Sequence, residues 1–265
     1  MPFFEREHAG RIDIATIFGL SGASVAPVSA APLEAWQRFA VAKGWVAGYI
    51  QLSAIDEPPP VAGLGAGNEV LLLDLGLDRA FESASLQRKI RRAEASGVEL
   101  VDDGAVLAAR LVQLYPEAMR RVGAGAGVQF TATSLERWCE GPSSVVLGAR
   151  VGDVIEAVAM FFVAGEEAEW HLIGSTERGR ELGAWLVWSA GRRLREMGVT
   201  RLNLGGGVRP GDAIYTFKKK FGAVPRPLLA ARQIYDRAAY DELCAQNGTG
   251  DGSSGWFPAY RNRGA

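Results

Sequence analysis

Residues 202–222, LNLGGGVRPGDAIYTFKKKFG, carry the strongest structural signal in the chain. They begin as a strand end, and Gly205, Gly206 and Gly207 then let the backbone approach a substrate where a side chain would clash. Asp212 is suited to cap a helix of about two turns. The stretch therefore predicts a strand, a substrate-binding glycine loop and a short helix.

This short helix is predicted to be amphipathic and cationic. Phe217 and Phe221 are four residues apart and share one face, with Lys218, Lys219 and Lys220 beside them. Spacing alone fits a solvated lysine face as well as a ligand-binding surface, so the pattern leaves both interpretations open.

Two separated motifs resemble those of one family. The motif FKxxFG at 217–222, after the LNLGGG strand end, is similar to the signature of the FemAB-like branch of the GNAT acyltransferases. The strand Leu71–Leu75 and the basic helix within Leu86–Val98 resemble a second motif of that branch. The resemblance covers Ile12–Tyr235, and Trp256–Arg261 resembles tails of such proteins.

The resemblance implies an α/β fold with a mixed sheet, built from two fused GNAT-like lobes of which the N-terminal one is smaller and degenerate. A helix, a glycine and a strand follow one another over 33–52 and again over 182–204, which hints at a duplication. We expect the N-terminal lobe over 1–104, the C-terminal lobe over 105–245 and a flexible Gly/Ser/Asn-rich tail over 246–265.

Three successive strands are predicted in the C-terminal lobe: Val145–Arg150, Val154–Val163 and Glu167–Ile173. Their alternation and short turns favour sequential antiparallel pairing, with Val199–Leu204 completing the sheet. The smaller lobe is expected to hold the strands Val46–Leu52 and Leu71–Leu75.

Composition limits the remaining classes. The chain has 265 residues, of which 48% are hydrophobic, and this is enough to bury a core. A net charge of −1 gives no reason to expect a DNA partner. No apolar run reaches membrane-spanning length, so we expect a cytoplasmic protein. Cys139 and Cys244 lie outside any paired Cys/His spacing, so no metal site is predicted.

Acyl transfer to an amine needs a deprotonated amine, stabilisation of an oxyanion and protonation of the leaving group. By resemblance, the lysine of the Phe-Lys motif lies at the transfer site of Fem-type enzymes. This implies that Lys218 stabilises the oxyanion and that Phe217 lies in the substrate site. No Ser-His-Asp spacing is present, so a covalent intermediate is not indicated.

His171 and Tyr215 are the candidate proton-handling residues. His171 lies in a predicted strand, and alternation places it on the same face as Glu169 and Ile173. Tyr215 lies about one turn before Lys218 on the predicted helix. The alternatives are a hydrogen-bonded structural role for His171 and core packing for Tyr215.

Three arginines are candidate phosphate contacts. Arg88, Arg91 and Arg92 occupy one arc of a predicted helix whose other side carries apolar residues. They would bind a phosphate backbone or a diphosphate if they converged with other cations, and would otherwise be an ordinary solvated face.

Acetyl-CoA-dependent GNAT enzymes receive the pyrophosphate at a helix N-terminus with a conserved pattern of small residues. The nearest match is Arg180-Glu-Leu-Gly183-Ala-Trp185, which makes Arg180 and Gly183 the candidate cofactor-binding residues. Trp185 stands where that pattern requires a small residue, so the match weakens an acyl-CoA interpretation, and core packing is the alternative role for Trp185.

The resemblance implies an N-acyl- or aminoacyltransferase that modifies an amine of a cell-envelope precursor, either a peptidoglycan peptide or an amino sugar of a surface polysaccharide. The donor would be aminoacyl-tRNA or acyl-CoA, with no tightly bound cofactor. A lipid-linked acceptor would bring the protein to the membrane surface. The alternatives are an acetyl-CoA-dependent GNAT N-acetyltransferase and a non-catalytic binding protein with a Fem-like groove.

Overall fold

The structure is a computed structural model that describes residues 3–16, 31–55, 64–76, 81–125, 128–207, 211–249 and 256–262. Its strands are β1 (Phe3–His8), β2 (Arg11–Thr16), β3 (Ala47–Gln51), β4 (Leu64–Asp74), β5 (Val98–Val101), β6 (Ser144–Val151), β7 (Val154–Ala164), β8 (Glu167–Ser175), β9 (Arg201–Asn203) and β10 (Val224–Ile234). Its α-helices are α1 (Ala31–Ala42), α2 (Ala84–Ala95), α3 (Gly104–Arg121), α4 (Ala132–Cys139), α5 (Gly183–Glu196), α6 (Ala213–Lys219) and α7 (Arg237–Gln246). Short 3-10 helices span Arg178–Leu182 and Ala259–Arg261. The fold is α/β, as predicted.

The chain forms two compact units. The smaller comprises 1–69 and 226–265, and the larger comprises 70–225. These limits differ from those of the predicted lobes, which stay a prediction. Leu71–Leu75 lies in the larger unit, where β4 pairs antiparallel with β9, whereas 46–52 lies in the smaller unit. The two strands therefore belong to different compact units, and the pairing of β4 with β9 is a long-range contact that the local pattern does not encode.

The smaller unit contains the strand order β1-β2-β3-β10 with α1 and α7. The pair β2 and β3 is parallel, and the other pairs are antiparallel. One part of its core contains Ile14, Trp45 and Ile50, and another contains Tyr240 and Tyr260. The apolar residues of β2 and β3 therefore supply a core that belongs to this unit alone.

A buried carboxylate ties the end of the chain to β2. Asp13 is 1% exposed and accepts hydrogen bonds from Arg6 Nε at 2.7 Å, Tyr260 Oη at 2.9 Å and Arg261 Nε at 2.6 Å. Residues 256–262, predicted to belong to a flexible tail, are thus packed against the unit. The carboxylate that holds them, Asp13, is distant in sequence. Composition alone does not reveal this contact, so it predicts a mobile segment. Residues 250–255 lie outside the described residues.

The larger unit contains the strand order β4-β9-β8-β7-β6-β5. The pairs β6–β7 and β7–β8 are antiparallel and β8–β9 is parallel, so the predicted three-strand meander completed by 199–204 is confirmed. Helices α2 and α5 pack on one face of this sheet, and α3 and α4 on the other. We call these the α5 face and the α3 face.

The parallel pairing of β8 with β9 is short. Pairing ends at Glu169 opposite Asn203, whereas β8 continues to Ser175. The chain leaves β9 through Gly205, whose φ of 73° lies in the left-handed region that favours glycine. We call the region just beyond this last pair the opening between β8 and β9.

None of the helices in the described part of the chain has the length and apolarity that crossing a bilayer requires.

Candidate active site

Lys218 lies at the opening between β8 and β9. Its Nζ atom donates a hydrogen bond of 2.8 Å to the carbonyl oxygen of Gly206 and lies 5.3 Å from the ring centre of Trp170, a buried residue of β8. The glycine loop and the Phe-Lys motif therefore meet in space, as the sequence predicts for one site. Trp170 is a member of this site that the sequence analysis did not identify.

The glycine loop is held by its own strand end. The backbone amide of Gly205 donates to the side-chain oxygen of Asn203 at 2.9 Å, and Asn203 is 2% exposed. The carbonyl of Gly205 accepts from the amide of Leu71 on β4 at 3.1 Å. Gly206 and Gly207 are half-buried. These bonds hold Gly205, and the next residue, Gly206, supplies the carbonyl that receives Lys218. Residues 208–210 lie outside the described residues.

Helix α6 positions Lys218 and begins as predicted. The carboxylate of Asp212 accepts from the backbone amide of Tyr215 at 2.8 Å, which confirms Asp212 as the N-cap. Phe217 and Phe221 are in edge-to-face contact with ring centres 5.1 Å apart, and Phe221 is fully buried. The apolar seam anchors the helix and leaves Lys218 turned to the opening.

Burial changes the acid–base chemistry of Lys218. Removal from water lowers its pKa from 10.5 to about 8, and the negative charge of Asp212 opposes that shift. The side chain is therefore still an ammonium near neutral pH, but its proton is held much less tightly than that of an exposed lysine. Lys219 and Lys220 are exposed.

Tyr215 shares α6 with Lys218 and packs against the core of the α5 face. The helix brings the two residues together as the spacing predicts. The alternative role of Tyr215, packing against the core, is therefore also observed.

His171 lies on the α3 face instead. Phe161 pairs with Trp170 and Met160 pairs with Leu172, so His171 is an extra residue in β8, a β-bulge. Because of the bulge, His171 shares the face of Leu172, whereas Trp170 and Ile173 belong to the core of the α5 face. The predicted common face of His171 and Ile173 is wrong, since simple alternation fails at an inserted residue.

The surroundings of His171 are aromatic. Ring centres of Phe130, Trp138 and Phe162 lie 6.1, 5.0 and 4.7 Å from that of the imidazole. Its Nδ1 lies 3.3 Å from Glu169 Oε1, and among the described residues its buried Nε2 has no hydrogen-bond partner. The structure thus brings His171 together with Glu169 and not with Lys218.

The predicted phosphate arginines are all exposed on α2, opposite its buried residues Leu86 and Ile90. Of the three, Arg92 lines a cleft between α2 and the 3-10 helix Arg178–Leu182, together with Lys89 and Arg178. Arg88 and Arg91 do not line it. The helical period of 3.6 residues predicts that the three arginines share one arc of α2. It does not predict that Arg92 lies near Arg178, because the two residues belong to separate elements.

The predicted cofactor-binding residues stand apart from that cleft. Arg180 is exposed and forms a 2.7 Å ion pair with Glu177, and Gly183 begins α5. Trp185 is 6% exposed and belongs to the core of the α5 face, which is its predicted packing role. A Cβ on Gly183 would make only ordinary contact with Ile173, so packing does not demand glycine there.

Comparison with protein families shows which family the chain belongs to. Residues 81–219 match the acetyltransferase (GNAT) domain family, which is more than half of the 265 residues. The chain belongs to the GNAT family. The matched region of this GNAT protein includes α2, the glycine loop and Lys218, and the protein is an acyltransferase. No curated protein matches the chain in sequence.

Solved structures agree with this fold. The crystal structure of FemX is similar with a TM-score of 0.67 at 11% identity, covering 91% of this GNAT chain and 90% of FemX. A C-terminal domain from Agrobacterium fabrum, assigned to a lysylphosphatidylglycerol synthetase, gives 0.58 at 20% identity, covering 87% and 80%. L-PGS from Bacillus licheniformis gives 0.58 at 16% identity, covering 89% and 81%. The resemblance to the FemAB-like branch is confirmed at the level of the fold.

In the described part of this GNAT protein, no group of three or more His, Cys, Asp or Glu side chains is placed to hold a metal ion.

Proposed function

We propose that this GNAT protein transfers an acyl or aminoacyl group to an amine of a cell-envelope precursor. The observation that carries the proposal is the Lys218 ammonium, held by the Gly206 carbonyl and the Trp170 ring at the opening between β8 and β9. A cation withdrawn from water beside a glycine loop is suited to a substrate on which negative charge develops during the reaction.

The proposed reaction is a direct attack. The acceptor nitrogen forms a bond to the donor carbonyl carbon, and the π electrons move to the carbonyl oxygen. Lys218 stabilises that oxyanion with N–H groups other than the one that bonds Gly206. Collapse of the intermediate breaks the bond to the leaving oxygen or sulfur, which takes up the proton released by the amine.

Proton transfer is assigned to Tyr215 or to Lys218 itself. Tyr215 lies on the same helix as Lys218, and a lysine whose pKa is lowered to about 8 can donate a proton to a leaving alkoxide. His171 is assigned a packing role, because it lies among aromatic rings on the α3 face.

The substrate classes rest on fold similarity. Lysylphosphatidylglycerol, in the name of one neighbour, is an aminoacylated lipid, and FemX is a neighbour over nine tenths of its length. This supports aminoacyl-tRNA as the donor and a peptidoglycan peptide, an amino sugar or a lipid-linked precursor as the acceptor. The match to an acetyltransferase domain favours acetyl-CoA as the second candidate donor.

The test is a transfer assay read by mass spectrometry. Purified protein receives acetyl-CoA or aminoacyl-tRNA as donor and a muropeptide or an amino sugar as acceptor. Lys218→Ala should lower turnover by about 10² to 10³ with little change in substrate affinity. Lys220→Ala, an equal change of charge on an exposed neighbour, should cost less than about threefold. Equal losses in both variants would reject Lys218 as the catalytic group.

A further inference from the structure

The smaller unit contains an arginine whose guanidinium group is partly buried without a partner. Arg232 lies on β10 and is half-buried, and its buried Nε has no hydrogen-bond partner among the described residues. No carboxylate in the described part of the chain forms an ion pair with it. An unpaired buried donor raises the free energy of the folded state, so Arg232 is not explained by stability.

Arg232 differs in this respect from the other arginines of its unit. Arg6 and Arg261 bond the buried carboxylate of Asp13. The remaining arginines in the described part of the unit are exposed and can be solvated by water: Arg11, Arg38, Arg226 and Arg237. Arg232 therefore combines partial burial with an unused hydrogen-bonding capacity.

The neighbours of Arg232 form a row across four strands. Arg232 lies directly opposite Tyr49 of β3, and Tyr49 lies opposite Ala15 of β2. On its other side β10 adjoins β4, where a Cβ on Gly65 would lie 3.0 Å from Arg232 Nε and 3.2 Å from Cζ. The guanidinium thus lies against the backbone of Gly65, and the two long polar side chains stand between two small residues.

Tyr49 adds a second donor to this row. Residues directly opposite each other on neighbouring strands project from the same face of the sheet, with Cβ atoms about 5 Å apart. Tyr49 is half-buried, and among the described residues its hydroxyl has no hydrogen-bond partner. The phenol and the guanidinium therefore offer O–H and N–H donors, together with one positive charge, to a group bound on this face.

The donor set matches a carboxylate. The planar fork of a guanidinium fits the two oxygens of a carboxylate through two parallel hydrogen bonds. A carboxylate carries one negative charge, which Arg232 balances. A phosphate monoester carries between one and two negative charges at neutral pH, so a single cation would leave part of that charge unbalanced.

We propose that Arg232 and Tyr49 bind the carboxylate of a ligand on this face of the smaller unit. The guanidinium would donate two N–H groups to the carboxylate, and the phenol would donate its O–H. Both residues lie outside 81–219, the region that matches the GNAT domain, so the site goes beyond the proposed function. The carboxylate would come either from the C-terminus of a peptide or from a free small acid.

The experiment measures binding by NMR titration of the full-length protein. The probes are alanyl-alanine, its C-terminal amide, acetate and inorganic phosphate. The wild type should bind alanyl-alanine at least tenfold more tightly than the amide, because the amide lacks the charge that pairs with the guanidinium. Acetate that binds as tightly as alanyl-alanine would identify a free small acid as the ligand. A tenfold preference for alanyl-alanine over acetate would identify a peptide C-terminus.

Four variants test the assigned residues. Arg232→Ala should weaken binding of the carboxylate at least tenfold, and Arg232→Lys at least threefold, because lysine keeps the charge but lacks the fork. Tyr49→Phe keeps the ring and should weaken binding about fivefold through the loss of one hydrogen bond. Arg226→Ala removes an exposed arginine from the same strand and should change the affinity less than about twofold.

Other results would overturn the proposal. It is wrong if the wild type binds neither carboxylate, if alanyl-alanine and its amide bind equally well, or if phosphate binds more tightly than both carboxylates. It is also wrong if Arg232→Ala and Arg226→Ala bind the carboxylate equally well. Should Arg232→Ala fail to fold, Tyr49→Phe still tests the site, since an unchanged affinity in that variant would remove the phenol from it.

Thermal unfolding separates this role from a structural one. Arg232→Met removes the unpaired guanidinium, so without ligand its melting temperature should not fall below that of the wild type. The carboxylate probe should raise the melting temperature of the wild type and not that of Arg232→Met. A lower melting temperature of Arg232→Met without ligand would assign the guanidinium to the fold instead.

Failure of the proposed function gives a different result. Lys218 belongs to the larger unit, so Lys218→Ala should bind the carboxylate as the wild type does. Carboxylate binding that depends on Arg232, in a protein that transfers no acyl group in any assay, would keep this site and reject the transferase assignment.

Discussion

Each of the two compact units contains a charged group that is shielded from water, and the hydrogen bonding of the two groups differs. In the smaller unit, Asp13 is 1% exposed and receives hydrogen bonds from Arg6, Tyr260 and Arg261. In the larger unit, Lys218 has one acceptor among the described residues, the Gly206 carbonyl, and the face of an aromatic ring. The Asp13 carboxylate accepts three hydrogen bonds. Among the described residues, the Lys218 ammonium donates one of the three hydrogen bonds that it can donate.

The difference separates a structural charge from a chemical one. A buried charge whose lone pairs are all satisfied holds elements together, and it has no capacity left for a ligand. A largely buried ammonium with unused donors and a lowered pKa reduces the stability of the folded state. The same unused donors can stabilise a negative charge that appears in the transition state. Five predictions test this comparison.

The largest effect is expected at Asp13. Asp13→Ala leaves Arg6 and Arg261 partly buried without their counter-charge, and should lower the free energy of unfolding by about 3 to 5 kcal/mol in urea titrations. Asp241→Ala breaks an exposed pair with Arg237 and should cost less than about 0.5 kcal/mol. Equal costs for the two variants would remove the distinction between a saturated and an ordinary carboxylate.

Removing the charge of Lys218 is expected to increase stability, whereas removing that of Asp13 is expected to decrease it. Lys218→Met keeps a long side chain but removes the desolvated charge, so the free energy of unfolding should rise by about 1 kcal/mol at pH 7 while transfer is lost. Chemical denaturation and the transfer assay on the same preparations measure both quantities. A strong loss of stability would instead show that the ammonium serves the fold, as Asp13 does.

The third prediction concerns pH and turnover. The ammonium of Lys218 is present below a pKa of about 8 and is lost above it. The turnover of wild type relative to Lys218→Arg should therefore fall about tenfold per pH unit above pH 9, since the guanidinium stays charged. A constant ratio between pH 7 and 10 would contradict a role for the lysine charge.

The same titration has a consequence for stability. The folded pKa of about 8 lies below the unfolded value of 10.5, so the unfolded state binds more protons between these two values. Stability of the wild type relative to Lys218→Met should therefore rise from pH 8 to pH 10.5 and be lowest below pH 8.

The smallest effect is expected at His171. Its buried Nε2 also has no hydrogen-bond partner in the described part of the chain, but the imidazole lies among Phe162 and Trp138 on the α3 face. His171→Gln should therefore change turnover less than about threefold at constant substrate affinity. A loss comparable to that of Lys218→Ala would make His171 a proton-handling residue and would place the acceptor on the α3 face.

The sequence by itself determined the local features of the larger unit. The meander β6–β8, the cap Asp212 and the short helix that carries Lys218 follow from alternation, glycine turns and side-chain capping, all of which act over a few residues. The motif around Lys218 also identified the family, because it combines these local signals in a fixed order.

Only the tertiary structure decided the rest. The bulge that turns His171 away from Ile173 depends on the pairing of β8 with β7, and the cleft depends on the approach of Lys89 to Arg178. Asp13 is joined to Arg261 across 248 positions of sequence. Local patterns fix which way a side chain points along its own helix or strand, but the partner it meets depends on how distant segments pack, and no short-range signal encodes that.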